Sequence, residues 1–124
     1  MPISANEKVT GPLAGYRIVE VGGRVSAFTG RLLARLGAEV VKVEPPQGSV
    51  ERQSEPPLNV SSSRESSAPF LYLNANKRSI TLDILTSKGQ TLLHRLVETA
   101  DALVYDDDPL VELPPNLTYE HLKR

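Results

Sequence analysis

The chain has no cysteine and no tryptophan, and only two phenylalanines and four tyrosines. The missing thiols exclude a disulfide framework, a cysteine nucleophile and a cysteine-ligated metal, and they leave the redox compartment open. Sparse aromatics argue against stacking platforms for single-stranded nucleic acid. An excess of one charge is lacking too. Fourteen basic and 15 acidic residues give a net charge of −1, so neither nucleic acid nor an acidic membrane surface is attracted in bulk. No apolar run approaches the length of a membrane span, and Met1 to Thr10 lacks the basic-then-apolar pattern of a signal peptide. The expectation is a cytoplasmic protein with no nucleic-acid and no membrane partner. At 124 residues the chain can bury one small core.

What is present is organised around Arg17 to Pro46. Ile18, Val19 and Val21 form an apolar run that Gly22-Gly23 breaks, and Phe28, Leu32, Leu33 and Leu36 then recur at helical spacing. Ser26 is a candidate cap for that helix, and Gly37 sits where a helix ends on positive φ. Val40, Val41 and Val43 make a second strand, which Pro45-Pro46 ends. Two strands joined by one short helix form a βαβ unit with parallel strands. In such sheets ligands bind beyond the carboxyl ends of the strands, here the turn from Gly22 to Ser26 and the exit at Glu44.

Residues 1–12 read as a leader and residues 13–124 as one domain. From Gln47 to Pro69 serine and proline accumulate without periodicity, which predicts a long surface loop. Phe70 to Leu73 is a short apolar segment and Asn74 to Arg78 a polar turn. Ser79 to Leu85 reads as a third strand with Ile80, Leu82 and Ile84 on one face. Ser87 and Gln90 form a capping-box pattern before a helix whose core face is Leu92, Leu93, Leu96, Val97 and Ala100. Ala102 to Tyr105 is a fourth strand. Thr118 is a further cap, with Leu117 and Leu122 placed as a hydrophobic staple. The sequence stops barely one turn into that last helix, which predicts a fraying tail or a longer parent.

Three stretches could carry chemistry. Gly22-Gly23-Arg24-Val25-Ser26 offers backbone N–H groups at a helix start, where phosphate can bind, or it simply turns the chain. Glu44 lies about where a dinucleotide fold keeps its ribose carboxylate, yet neither Gly-x-Gly-x-x-Gly nor a P-loop is present. Asn76-Lys77-Arg78 is a phosphate or carboxylate clamp or a solvated turn. Asp106-Asp107-Asp108 follows a strand, but three adjacent carboxylates cannot all point one way, so no metal is expected. His94 and His121 lie far apart and no acid–base pair stands out, so no catalytic residue is assigned.

These residues resemble the amino-terminal part of the family III CoA-transferases, the group of formyl-CoA transferase, carnitine CoA-transferase (carnitine dehydratase) and α-methylacyl-CoA racemase. The resemblance rests on Pro12-Leu13-Ala14-Gly15, on Arg31 to Pro46 with its Leu-Gly-Ala-Glu-Val-Val-Lys-Val-Glu-Pro-Pro, on Leu73 to Asp83 with Asn-Lys-Arg-Ser, and on Ala100 to Val104. It implies an α/β fold, a Rossmann-like parallel sheet with flanking helices, incomplete relative to the family's large domain. It also implies coenzyme A as ligand and an interlocked homodimer for the parent. Carried over by position, CoA would meet Arg24 and Val25, then Leu82 and Asp83, then Asp106 and Asp107, with Asn76, Lys77 and Arg78 as wall or support. The family's usual Glu-Asn-Phe-x-Pro-Gly is replaced here by Tyr105-Asp106-Asp107-Asp108-Pro109-Leu110, so carboxylates stand where the family faces CoA. A lysine that some members offer after the third strand is Leu85, and the basic residue beyond the fourth is Pro114. The family's catalytic aspartate belongs further downstream, so the chain alone is expected to be inactive while its parent moves CoA between carboxylic acids or acts on an acyl-CoA. Two alternatives stand beside this: a degenerate repeat serving assembly, and a nucleotide-binding domain that uses Glu44.

Overall fold

The computed structural model describes residues 9–53 and 67–122. Within them run β1 (Arg17–Val21), α1 (Arg24–Arg35), β2 (Glu39–Glu44), a 3-10 turn (Val50–Gln53), α2 (Ala68–Leu73), β3 (Arg78–Thr81), α3 (Ser87–Glu98), β4 (Ala102–Tyr105) and α4 (Tyr119–Leu122). Gly37 ends the first helix with φ +99°. Its amide bonds Ala34 O at 3.0 Å and the Ala38 amide bonds Leu33 O at 3.1 Å. This pair of bonds satisfies the last carbonyls and turns the chain into β2.

The four strands form one parallel sheet in the order β3-β2-β1-β4. The first two crossovers step one way along the sheet, and α3 then carries the chain back past β2 and β1 to the opposite edge. Right-handed crossovers therefore put α1 and α2 on one face and α3 on the other. The pleat sends alternate side chains to those two faces. Val19, Val21 and Val43 meet Ile84, Leu93 and Leu117 on the α3 side, while Ile18 and Val40 meet Ala38, Leu33 and Ala34 on the α1 side. Leu122 packs on the α3-side cluster beside Leu117, so the tail is tied to the sheet through both staple residues. Among the described residues no helix is long and apolar enough to cross a membrane.

Several local expectations shift. The α1 face that meets the sheet is Ser26, Ala27 and Gly30, with Leu33 of the expected helical pattern packed beside them, while Phe28, Leu32 and Leu36 of that pattern are exposed. Small residues win there because the helix sits directly above buried side chains of the sheet. A Cβ at Gly30 would collide with Glu20 Oε2. The cap of α3 is Thr86, whose hydroxyl accepts from Gly89 N at 3.0 Å, so the cap lies one residue before Ser87 and, with glycine at the returning position, no reciprocal box forms. Gln90 instead accepts from the Asn116 side chain. The third strand is shorter than Ser79 to Leu85, because Asp83 turns the chain: its carboxylate accepts from Leu85 N and its carbonyl from Thr86 N. Of the serine-rich stretch, residues 54–66 lie outside the described residues. Its described ends hold the 3-10 turn and the start of α2, joined where Ser67 Oγ donates to Glu51 O at 2.7 Å.

Candidate functional site

The strand order reverses between β1 and β4, and a parallel sheet takes its ligands at such a point, beyond the carboxyl ends of the strands. β1 and β4 pair with Val21 opposite Tyr105, so the residues after each strand, Gly22 and Asp106, come out side by side. Gly23 is the N-cap of α1, and no side chain of its own segment caps the helix. Ser26 lies inside the first turn, and its hydroxyl donates to Gly23 O at 3.0 Å. The cap comes from the neighbouring strand. Asp106 Oδ1 accepts from Gly23 N and Oδ2 from Ser26 N, each at 2.7 Å. Asp108 adds a longer contact to Arg24 N at 3.4 Å. A carboxylate on two N–H groups at a helix start meets both the unpaired donors and the positive end of the helix dipole. It fills the place the sequence offers to a phosphate.

Around this cap the structure brings together four of the sequence-derived residues. Val25 and Asp107 share an open hollow of about 320 Å³ with Asp106, Asp108 and Pro109, and Arg24 is exposed beside it. Leu82 and Asp83 follow β3 on the same side of the sheet, but β3 is the far edge. Leu82 turns into the α3-side core and Asp83 is exposed. Asn76 precedes β3 and Arg78 opens it. Asn76 takes φ +64° in the turn, and Arg78 pairs with Glu39 at 3.2 Å near the other end of the sheet.

Lys77 faces inward. Its ammonium donates to Ala27 O at 2.7 Å and Asn74 Oδ1 at 3.0 Å and pairs with Glu20 at 2.6 Å. Glu20 also pairs with Lys42, which reaches Glu51, both at 2.9 Å. All four side chains are buried. Burial alone would lower Lys42, but the carboxylates of Glu20 and Glu51 override it and raise its pKa. For Lys77 burial wins, against the pull of Glu20 and with the push of Lys42, and the pKa falls. This quartet ties β1, β2, α1 and the turn before β3 into one block. Sequence reasoning misses it, although the signal exists: Glu20 and Lys42 interrupt apolar strands at positions that pair directly in the β1–β2 register.

Glu44 is equally committed. Its oxygens accept from Arg52 at 2.7 and 3.0 Å, from Ser49 N at 3.1 Å and from the Ser79 hydroxyl. Burial alone would raise its pKa, but the bonds from Arg52, Ser79 and Ser49 override that and hold it at about 2. A carboxylate so occupied has no free edge for a ribose. Because the folded pKa lies below the unfolded one, the stabilisation is full above about pH 4.5 and is lost as pH falls towards 2. Its size is on the order of 3 kcal/mol. In urea melts from pH 7 to pH 2, Glu44→Gln should be less stable than the parent sequence at pH 7, and the gap should close on acidification. A gap independent of pH would contradict this account. Among the described residues no group of three or more His, Asp or Glu side chains could hold a metal.

The family model for CoA-transferase family III matches residues 13–124. Succinate–glutarate CoA-transferase of Agrobacterium fabrum is 39% identical over 119 residues, covering 90% of this chain and 29% of that protein. Cinnamoyl-CoA:phenyllactate CoA-transferase of Clostridium sporogenes is 32% identical over 118 residues, covering 94% and 29%. Among solved structures, a CAIB/BAIF family protein from Brucella suis superposes with a TM-score of 0.78 at 37% identity, covering 91% of this chain and 30% of that one. The chain thus spans less than a third of each of these relatives.

Proposed function

We propose that this chain, which belongs to CoA-transferase family III, is the CoA-facing amino-terminal portion of an enzyme that moves CoA between carboxylic acids. The observation that carries this reading is the match along residues 13–124, to relatives whose names describe CoA transfer to or from organic acids. The geometry supports it in part. The crevice between β1 and β4 is open on one side, and Arg24 and Lys88 are exposed cations on the rim from which the strands emerge. Anionic CoA would lie along that rim, and the parent would use a carboxylate nucleophile to split the acyl transfer into two covalent steps. On this reading no acid among the described residues is assigned that part, and the chain alone is expected not to turn over. A cytoplasmic home and an interlocked homodimer belong to the same reading of the parent.

Thermal unfolding of the chain at fixed salt, with CoA and with NAD as control, tests the proposal. A ligand at about a hundred times its dissociation constant adds about 2.7 kcal/mol to a two-state fold. The expected result is a rise with CoA and none with NAD. A rise with NAD alone would overturn the assignment. A second reading is favoured by the Asp106 cap: a degenerate repeat that serves assembly, in which the carboxylate has permanently replaced the ligand. No response to CoA, even after the carboxylate is removed, would select it.

A further inference from the structure

The turn between β1 and α1 is closed from beneath by a side chain from elsewhere in the sequence. Lys77 stands immediately before β3, and its side chain is 1% exposed. Its ammonium pairs with Glu20 at 2.6 Å and donates to Ala27 O at 2.7 Å. Glu20 is the penultimate residue of β1, and Ala27 lies near the start of α1. One buried cation therefore holds both the strand that enters the turn and the helix that leaves it.

These contacts form a ring. The Ala27 amide donates to Gly23 O at 3.0 Å, and Gly23 runs back to Glu20 through Gly22 and Val21. Lys77 closes the ring between Ala27 and Glu20. Gly23, whose N–H bonds Asp106, is a member of it, and Ser26, the other donor to Asp106, is joined directly to Ala27. The seat under the helix is tight. A Cβ at Gly30 would collide with Glu20 Oε2 and stand 3.1 Å from Lys77 Nζ. Close-packed contacts transmit displacement instead of absorbing it, so the position of the first turn of α1 is set by this ion pair. Lys77 itself does not line the hollow, whose walls are Val25 and Asp106 to Pro109.

We propose that Lys77 is a positioning residue: through Ala27 O and Glu20 it fixes the aim of Gly23 N–H and Ser26 N–H, and thereby the affinity of this turn for an anionic group. Hydrogen bonds weaken steeply with misalignment, and two donors that converge on one anion must both be aimed. The inference rests on the CoA-facing reading for its ligand, a phosphate ester.

Amide chemical shifts and phosphate binding test it, because both report on the folded state and neither moves through loss of stability alone. Lys77→Met should shift the amide proton signals of Gly23 and Ser26 towards those of weaker hydrogen bonds, while the amides of α3 keep theirs. Glu20→Met with Lys77→Met should do the same, and it guards against a single variant that fails to fold, since it leaves no uncompensated carboxylate. Leu93→Ala removes a buried side chain from the α3-side core and should leave both signals in place. In Asp106→Ala, where the carboxylate no longer fills the donors, adding Lys77→Met should weaken the binding of inorganic phosphate about tenfold. Unmoved Gly23 and Ser26 signals, equal phosphate affinity with and without Lys77, or no phosphate binding by Asp106→Ala would each overturn the proposal. If phosphate behaves as expected and CoA does not bind, the role of Lys77 stands and the CoA reading alone fails.

Discussion

Replacing Glu20 by alanine should remove about 3–5 kcal/mol of stability, a large share of the roughly 5–15 kcal/mol a domain of this size possesses. Glu20 is fully buried and, among the described residues, is the only carboxylate that both lysines touch, Lys42 at 2.9 Å and Lys77 at 2.6 Å. Without it two ammonium groups stay under α1 with Glu51 as their remaining acid. The loss is mainly the cost of an uncompensated buried charge, not the worth of the pair. That distinction is measurable. The double change Glu20→Met with Lys77→Met leaves Lys42 and Glu51 as a neutral pair and puts apolar groups of similar length in the gap. Urea denaturation should find the double variant more stable than Glu20→Ala, with the two single changes strongly non-additive. If the double variant loses the sum of the singles, the quartet is not electrically coupled and the account above is wrong.

The quartet also marks the limit of what was legible beforehand. Local pattern sufficed for the elements. The Val-Val-Lys-Val run and the glycine at position 37 give β2 and the end of α1 because strand alternation and positive φ are properties of a few neighbouring residues. β4 falls at Ala102–Tyr105 as read. The α1 stripe misled for a physical reason: helical periodicity identifies an apolar face but cannot say which of two faces meets the sheet. The side with Ser26, Ala27 and Gly30 meets the sheet, and at Gly30 even a Cβ would collide with Glu20 and crowd Lys77. The caps misled for another. Ser26 and Ser87 have the right chemistry within their own segments, but Asp106 reaches α1 from 80 residues away in sequence. Strand order decides that contact, and strand order follows from the crossover of α3 to the far edge.

The same contact decides what the crevice can hold. Changing Asp106 to alanine should cost about 3–4 kcal/mol, since two hydrogen bonds from backbone N–H to a carboxylate are lost at about 1.5–2 kcal/mol each. Asp106→Asn should fall between, because an amide can accept with one atom while its NH₂ confronts the other donor. The variant should also gain something. With the carboxylate gone, Gly23 N–H and Ser26 N–H face the crevice at the positive end of a twelve-residue helix, and an anion from solution can take the place of the lost side chain. Inorganic phosphate should then raise the melting temperature of Asp106→Ala and leave the unaltered chain nearly unmoved. CoA should act on the variant at a lower concentration than on the unaltered chain, because a fixed negative charge no longer opposes its phosphates. Phosphate rescue without any CoA effect would show the turn to be an anion site that CoA does not use, which favours the assembly reading. Neither effect, in a variant that still unfolds cooperatively, would mean that the Asp106 cap only holds β4 to α1 and does not govern ligand entry.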